Sequence, residues 1–481
     1  DPEKCLQCNK CSYVCPHAVI RPFLFSEEEA DAAPGGIKLT PAKGKQAEGL
    51  KYSLQVSVLD CTGCGSCVNV CPAKEKAITM VPAENVDDGL EIWNYALNTS
   101  DKGDIFDPYT VKGSQFRTPL LEFSAACAGC GETPYAKLLT QLYGDRVYWA
   151  NATGCSQAWG SAMPGIPYTV NKCGQGVAWA NSLFENNAEF SLGMLLSVNQ
   201  QREGQKARVL AYREKCGADV ASAIDEWLET YDDFEASKEA SVKLIAALRL
   251  AGDKDAAEIL KYKDQLAKKT FWMYGGDGWA YDIGFGGLDH VVASGEDINV
   301  LIVDTEIYSN TGGQSSKATQ IGAVAQFAAS GKKRPKKDIG AMLMTYGNVY
   351  VASVAMGADN AQLLKAIKEA QAYKGPSIII AYAPCQSHGL KCGMAKVQDE
   401  MKRAVDAGYW SLYRYNPTLA EEGKNPFILD SKEPTLDYEE FLDGEVRFSS
   451  LRRTFPDNAD ALFKEGAKLA ADKYEQLKKN L

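Results

Sequence analysis

Two cysteine runs with the same spacing constrain the amino-terminal part of this chain more than any other feature of its sequence. Both follow the pattern Cys-x2-Cys-x2-Cys-x3-Cys-Pro. The first run is Cys5, Cys8, Cys11, Cys15 and Pro16, and the second is Cys61, Cys64, Cys67, Cys71 and Pro72. This pattern is typical of bacterial proteins that hold two iron–sulfur clusters. We therefore predict two 4Fe–4S clusters in residues 1–82.

The spacing also predicts how the eight thiolates are shared. Three closely spaced cysteines bind one cluster, whereas the fourth is turned away by the following proline and binds the other cluster. The predicted sets are Cys5, Cys8 and Cys11 with Cys71, and Cys61, Cys64 and Cys67 with Cys15. The alternative is a pair of zinc sites, but zinc ribbons use two cysteine pairs rather than triplets. We expect a ferredoxin-like α+β domain.

The overall composition excludes several classes of protein. The chain has 481 residues, a formal net charge of −10, and fifteen cysteines against three histidines. An acidic chain without a basic domain is not typical of nucleic-acid binding. No apolar run approaches the roughly 18 residues of a membrane span, and the first residues do not form a signal peptide. We expect a cytoplasmic protein that binds neither nucleic acid nor membrane, and we interpret the chain as a segment of a longer polypeptide or a processed chain.

Apolar runs alternate with helical patterns between residues 119 and 412, which indicates a parallel α/β sheet. The predicted strands are 146–151, 271–274, 298–303, 341–346 and 377–382. Residues 83–118 show no sustained periodicity and are interpreted as a linker. A charged, alanine-rich stretch at about 203–269 predicts a helical hairpin inserted between strands. Prolines and charges after residue 412 indicate an extended carboxy-terminal segment, 413–481, which closes with a helix near 457–479.

A basic segment runs from Gly331 to Lys337. No aromatic residue lies within it, and the chain as a whole is acidic. We therefore interpret it as a solvated loop rather than a nucleic-acid site.

Cys127 and Cys130 form a weaker signal, since a Cys-x2-Cys pair can bind zinc, act in redox chemistry or do neither. Cys155 and Cys385, however, each follow a predicted strand closely. Both lie beyond the carboxyl ends of parallel strands, where open α/β sheets place their sites. We predict that these four cysteines hold a third cluster; the alternative is that Cys155 and Cys385 are small buried apolar residues. The cysteines left as thiols are Cys173, Cys216 and Cys392.

The same edge of the predicted sheet carries a glycine-rich turn around Asp277, before a helix expected to start near Trp279. Glycines let the backbone approach a phosphate, and a helix amino terminus favours an anion. The next strand ends at Asp304, and the Thr305 hydroxyl and the Ile307 carbonyl follow it. One carboxylate and two neutral oxygens suit Mg²⁺ bound to a diphosphate. The alternative is a plain Gly-Asp-Gly turn.

Together these motifs resemble the carboxy-terminal part of pyruvate:ferredoxin (flavodoxin) oxidoreductases over essentially the whole chain. Besides the two cysteine runs, the resemblance rests on residues 127–132, 151–156, 276–282, 304–314 and 382–389. Thiamine diphosphate enzymes in general place Asn at the second magnesium side chain. In this chain the position is occupied by Thr305, which agrees instead with the residue that this family uses there.

The resemblance implies thiamine diphosphate bound through Mg²⁺ to Asp277, Thr305 and the Ile307 carbonyl. It further implies that the cofactor is lined by Glu132, Cys155, Gly276, Asp277, Gly278, Trp279, Thr305, Glu306, Ile307, Tyr308, Ser309 and Asn310. Asn310 would reach the 2-oxo acid, and Asn310 and Glu132 are the implied catalytic residues.

The implied reaction is oxidative decarboxylation of pyruvate to acetyl-CoA and CO2, reversible as pyruvate synthesis. Electrons would pass through three 4Fe–4S clusters to ferredoxin or flavodoxin. The residues that activate the cofactor, hold pyruvate and bind coenzyme A are implied to lie in amino-terminal modules or a separate amino-terminal chain of the same enzyme. The enzyme is expected to form a homodimer. Two alternatives stay open: another 2-oxo acid:ferredoxin oxidoreductase, or a polyferredoxin electron carrier with an inactive α/β domain.

Overall fold

The structure is a computed structural model that describes residues 1–85, 89–162 and 165–481, except for the side chains of residues 85 and 162. Part of the predicted linker, residues 86–88, thus lies outside the described residues. The amino-terminal elements are α1 (Lys10–Tyr13), β1 (Ile20–Phe25), α2 (Glu27–Asp31), β2 (Thr40–Pro41), a 3-10 turn (Lys45–Ala47), β3 (Lys51–Val56) and α3 (Ser66–Asn69). The strands form an antiparallel sheet in the order β1-β3-β2, so the α+β prediction is confirmed.

The predicted linker packs against this region. Its elements are a 3-10 turn (Ala83–Asn85), α4 (Leu90–Asn98) and α5 (Val111–Ser114). Trp93 of α4 meets Phe23 edge-on, with ring centroids 6.1 Å apart. The Asn9 side-chain amide donates to the Lys112 carbonyl at 3.0 Å. These helices are only nine and four residues long, so they leave no sustained hydrophobic periodicity in the sequence.

In the rest of the described chain, eight strands form one sheet. They are β4 (Val147–Ala152), β5 (Ala178–Ser182), β6 (Thr270–Gly276), β7 (Asn299–Asp304), β8 (Tyr350–Val354), β9 (Ser377–Tyr382), β10 (Tyr413–Tyr415) and β11 (Phe427–Leu429). Their spatial order is β11-β10-β8-β9-β7-β6-β4-β5. The strands from β4 to β9 pair in parallel, whereas β10 pairs antiparallel with β8 and β11. The predicted parallel α/β sheet is confirmed, with an antiparallel extension at one edge.

Helices connect and cover these strands. They are α6 (Thr133–Tyr143), α7 (Cys155–Gln157), α8 (Asn187–Arg213), α9 (Ala218–Glu229), α10 (Ala236–Ala251), α11 (Lys254–Lys261), α12 (Phe285–Ala293), α13 (Ile339–Met344), α14 (Asn360–Ala372), α15 (Val397–Asp406), α16 (Pro417–Glu421), α17 (Tyr438–Asp443), α18 (Val446–Thr454) and α19 (Pro456–Lys479). Short 3-10 or π segments are Ala158–Ala162, Lys263–Gln265, Gly278–Ile283, Gln386–His388 and Met394–Lys396.

One predicted strand is wrong. Residues 341–346 begin within α13, whose first turn is capped by the Asp338 carboxylate accepting from the Ala341 amide at 3.0 Å. The run consists mainly of Ala, Met and Leu, which favour helix, and lacks the β-branched residues of a strand. The predicted strands also do not include β5 and β8. The β-branched residues Val351 and Val354 lie in β8, which begins a few residues after this run.

The helical insertion is larger than predicted. It starts at α8 rather than near residue 203, and it comprises four helices, α8 to α11, between β5 and β6. The predicted break is present, because α10 ends at Gly252 with φ +64° and Asp253 caps α11. Trp227, Ile224 and Leu244 belong to a buried apolar cluster of the insertion's own, separate from the core around the large sheet.

The carboxy-terminal segment is more regular than the extended chain that was predicted. It adds β10 and β11 to the sheet and packs α17, α18 and α19 beside it, with Phe441, Phe448 and Phe463 fully buried. Pro417 and Pro456 begin α16 and α19, a position that suits proline because the first helical amides lack partners. The expected closing helix is present. None of the helices in the described residues combines the length and the apolar character required to traverse a bilayer.

The separate core of the insertion predicts a local stability effect. Leu244→Ala should lower the opening free energy of α9 to α11 by about 2–5 kcal/mol, because it leaves a cavity in that cluster. Val242→Ala on the same helix is the control, since Val242 is 63% exposed and its loss should change little. Amide hydrogen exchange of the insertion measures both. Equal protection in the Leu244→Ala and parent proteins would contradict a separate core.

Candidate functional site

Four neighbouring strands, β4, β6, β7 and β9, end at the same edge of the large sheet. Residues singled out from the sequence follow each of them. Cys155 comes after β4, Asp277 after β6, Thr305 after β7 and Cys385 after β9. Parallel strands present their carboxyl ends together, and this is where open α/β sheets bind ligands. The predicted cluster site and the predicted magnesium site therefore share one edge.

Three oxygen atoms converge at the predicted magnesium position. The Thr305 hydroxyl oxygen lies 3.0 Å from Asp277 Oδ1 and 3.0 Å from the Ile307 carbonyl oxygen. Neighbouring ligands of an octahedral Mg²⁺ with bonds of about 2.1 Å are themselves about 3.0 Å apart. Ser309 Oγ lies 3.1 Å from the same hydroxyl. The donor set therefore fits Mg²⁺ in both chemistry and spacing.

Asp277 is fully buried. Its Oδ2 accepts a hydrogen bond from Ser316 Oγ at 2.6 Å, which leaves Oδ1 facing Thr305. Burial raises the pKa of Asp277, and the nearby carboxylate of Asp304 raises it further. A divalent cation would favour the ionised form and offset both effects. Ser316 was missed from the sequence because it lies 39 residues from Asp277 in an irregular loop.

The two glycines that flank Asp277 differ in the space around them. A Cβ on Gly276 would have one neighbour within 4 Å, the Val303 carbonyl oxygen at 3.9 Å. A Cβ on Gly278, in contrast, would lie 2.3 Å from the Tyr308 ring, so glycine is required for Tyr308 to pack there. The segment Gly278–Ile283 starts directly after Asp277 and contains the buried Trp279. Asn310 is exposed in the loop beyond Tyr308.

Four cysteine side chains lie near one another beside this site. The turn between Cys127 and Cys130 is closed by a hydrogen bond from the Cys130 amide to the Cys127 carbonyl at 3.0 Å. Burial raises the pKa of Cys155, and Glu132, Cys385 and the two other thiols raise it further. An iron–sulfur cluster binds cysteines as thiolates, and its irons would offset this repulsion. The donor set therefore fits a 4Fe–4S cluster.

Glu132 lies at the start of α6, next to this cysteine set. Its side chain is buried, and its Oε2 has no hydrogen-bond partner within the described residues. Burial raises the pKa of Glu132 to about 7, and the nearby Trp159 indole opposes this rise. A buried carboxyl group that titrates near neutrality is typical of functional sites.

The two amino-terminal cysteine runs also come together. Burial raises the pKa of Cys11, and the thiols that raise it further are Cys67, Cys8 and Cys5. Burial likewise raises the pKa of Cys67 to about 12, with contributions from Cys15 and Cys64. The position of Cys15 beside the second run agrees with the predicted exchange of the fourth ligand. For Cys71 in the first set the assignment stays a prediction. Over the described ranges, no three His, Cys, Asp or Glu side chains are grouped for a single metal ion.

Helix α6 and the segment before it join the third cysteine set to the ferredoxin-like region. Lys137, fully buried in α6, donates to the Tyr13 carbonyl at 3.1 Å. His17, two positions after Cys15, has Nδ1 2.9 Å from the Ser124 carbonyl oxygen. Cys127 lies three positions after Ser124. These contacts fix the position of the third set relative to the other two.

The interpretation of the basic segment as a solvated loop holds for Lys333 and Arg334, which are exposed, but not for the lysines on either side of them. Lys332 donates to two backbone carbonyls at 2.6 Å, and Lys337 donates to a third at 3.1 Å. Lys336 Nζ lies 2.7 Å from Asp304 Oδ2 and 2.9 Å from Glu306 Oε1. The segment thus packs under the loop that carries Thr305 and Ile307. Charge alone could not reveal this, because the partners are distant in sequence.

Comparison with known proteins agrees with this arrangement. Residues 256–381 match the family described as thiamine pyrophosphate enzyme, C-terminal TPP binding domain, and residues 1–75 match the 4Fe-4S dicluster domain. The chain is 56% identical to the pyruvate:ferredoxin oxidoreductase of Moorella thermoacetica over 99% of the chain. Over nearly its whole length the chain is therefore similar to a portion of the pyruvate:ferredoxin and pyruvate-flavodoxin oxidoreductases.

Other relatives of this family are nearly as similar. The chain is 54% identical to the pyruvate-flavodoxin oxidoreductase of Enterobacter agglomerans and 53% identical to that of Klebsiella pneumoniae, in each case over 99% of the chain. It spans 41% of the length of each of these three proteins. The two domain matches support thiamine diphosphate and iron–sulfur clusters as its cofactors.

Replacing Cys385 tests the third cysteine set. Cys385→Ala should lower the iron content from about twelve atoms per chain, for three 4Fe–4S clusters, to about eight. Anaerobic iron analysis measures this. Cys173→Ala is the control, because Cys173 is exposed and away from the predicted sets. A Cys385→Ala protein that keeps the parent's iron content would contradict the third site.

Replacing Asp277 tests the oxygen set. Asp277→Ala should weaken Mg²⁺-dependent thiamine diphosphate binding at least about 100-fold, because the site loses its charged ligand. Calorimetric titration measures the affinity, and iron content should stay unchanged. Asp289→Ala serves as the control, since Asp289 is bonded to Tyr346 at the surface. Unaltered cofactor affinity in the Asp277→Ala protein would rule out this metal site.

Proposed function

We propose that this chain is the cofactor- and cluster-bearing part of an enzyme that oxidises pyruvate to acetyl-CoA and CO2. Electrons would pass through three 4Fe–4S clusters to ferredoxin or flavodoxin, and the reaction would be reversible. The observation that carries the proposal is the placement of the Asp277 oxygen set and the Cys155 thiol set on adjacent strand ends. Decarboxylation coupled to electron removal requires both sites close to one another.

The residues of the first site would bind and orient the cofactor. Asp277 Oδ1, Thr305 Oγ1 and the Ile307 carbonyl would hold Mg²⁺, and the space at Gly276 would admit the diphosphate. When bound, thiamine diphosphate supplies a nucleophilic carbon and an electron sink. The contribution of this chain is binding, orientation and exclusion of water.

Two side chains would act on the substrate side. Asn310 is exposed in the loop that follows the metal ligands, so its amide can hydrogen-bond a 2-oxo acid. Glu132 has a buried Oε2 with no hydrogen-bond partner among the described residues, near Cys155, where it could give or accept a proton. We assign the substrate contact to Asn310 and the proton exchange to Glu132.

The remaining parts of the enzyme would come from outside this chain. The relatives are more than twice as long, since the chain spans 41% of them. We assign coenzyme A binding, the main pyruvate contacts and the carboxylate that activates the cofactor to amino-terminal modules, in cis or as a partner chain. The assembled enzyme would be a cytoplasmic dimer.

Reconstitution of this chain with the amino-terminal modules tests how the activity is divided between them. The 481 residues alone should hold clusters and accept electrons from an artificial reductant but fail to oxidise pyruvate, because the activating carboxylate and the coenzyme A site are missing. Adding the amino-terminal modules should restore coenzyme A-dependent ferredoxin reduction. The assay follows ferredoxin absorbance under anaerobic conditions. Pyruvate oxidation by the 481 residues alone at an ordinary enzymatic rate, on the order of 1–10³ per second, would show that the division is wrong.

A further inference from the structure

Glu306 separates the two residues that supply neutral oxygens to the proposed magnesium site. Its φ is +59°, in the left-handed region that side-chain-bearing residues rarely adopt. Thr305 before it and Ile307 after it nevertheless turn their oxygens to within 3.0 Å of one another. Such a conformation persists only where the surroundings enforce it. The contacts of Glu306 therefore matter for the geometry of the metal ligands.

The Glu306 carboxylate is completely buried and has three partners, which we call the Glu306 clamp. Lys336 Nζ lies 2.9 Å from Oε1. Arg447 Nη2 lies 2.9 Å from Oε2, and the Tyr409 hydroxyl donates to the same oxygen. These partners come from the basic segment, from α18 and from the chain before β10. Three residues that are remote from one another in sequence, one of them Arg447 of the carboxy-terminal segment, thus contact a side chain of the metal loop.

A second contact holds the same loop from another side. His388 Nε2 donates to the Thr305 carbonyl at 2.6 Å. His388 is buried and lies three positions after Cys385, in the loop that carries a proposed cluster ligand. The peptide between Thr305 and Glu306 is therefore fixed both through its carbonyl and through the adjacent side chain.

We propose that Glu306 is a positioning residue, whose clamped carboxylate holds the loop in the conformation that aims Thr305 and Ile307 at the magnesium ion. Its side chain points into the clamp, so its contribution to the cofactor site is indirect. The inference rests on the proposed function, because it concerns how that site is shaped. It extends the site to Lys336, Tyr409 and Arg447, which no sequence motif indicated.

Glu306→Gln is a suitable test because it keeps the shape and removes the charge. Both cations retain another carboxylate, since Lys336 also lies 2.7 Å from Asp304 and Arg447 Nε lies 2.6 Å from Glu445. The variant should therefore fold. Glu400→Gln is the matched control, because Glu400 is an equally buried carboxylate whose ion pair is with Arg403 at 2.9 Å. Arg447→Lys is a second variant, since a lysine cannot reproduce the guanidinium fork.

The measurement is the Mg²⁺ concentration that half-saturates thiamine diphosphate binding, determined by calorimetry on the complete enzyme. We expect Glu306→Gln to raise it about 10–100-fold, as is usual when a partner that orients a metal ligand is lost. Arg447→Lys should raise it to a smaller extent, and saturating Mg²⁺ should restore binding. Glu400→Gln should leave it within about twofold.

A readout without metal or cofactor separates positioning from general stability. In the apo-protein, amides 306–309 should exchange faster in Glu306→Gln than in the parent or in Glu400→Gln, while the melting temperature changes alike in both variants. An unchanged Mg²⁺ requirement and unchanged exchange in Glu306→Gln would overturn the inference. If the parent itself binds no thiamine diphosphate with Mg²⁺, the proposed function fails instead.

Discussion

Parallel hydrogen bonding among β4, β6, β7 and β9 is the constraint on which both cofactor sites depend. The register places Asn151 beside Tyr274, Gly276 beside Val303, and Asp304 beside Tyr382. Each strand therefore ends level with its neighbour, and the loops that follow meet. A slip of one residue would turn every side chain of a strand to the opposite face. The continuous apolar burial of these strands on both faces makes such a slip costly.

Buried charged side chains, among them Asp304, Glu306 and Arg447, lie just beneath this edge of the sheet. Burial raises the pKa of Asp304, whereas at Glu306 the cations Lys336 and Arg447 overcome the effect of burial and hold the pKa below its usual range. Buried ion pairs contribute little net stability because desolvation offsets their attraction, yet breaking one leaves an uncompensated charge. Here the ion pairs of Glu306 hold the loop that carries Thr305 and Ile307 in a conformation that its backbone alone would not adopt.

The sequence predicted those parts of the site whose residues lie close together or at strand ends. The cysteine runs carry their own spacing, and Asp277 and Thr305 follow apolar strands that any parallel sheet would align. It failed where pairing is long-range: Tyr409 meets Glu306 from 103 positions away, and Lys336 was hidden in a segment that looks solvated. Residues 341–346 were misassigned because an apolar run of that length fits a buried helix as well as a strand.

We propose that a magnesium–diphosphate site and an iron–sulfur cluster share one edge of the large sheet. Anaerobic crystals of the complete enzyme with thiamine diphosphate and Mg²⁺ test it most directly, through anomalous scattering at the iron edge. We predict three iron clusters for this chain, one bound by Cys127, Cys130, Cys155 and Cys385, with magnesium density between Asp277, Thr305 and Ile307. Iron at only the two amino-terminal runs, or magnesium bound away from Asp277, would contradict the claim.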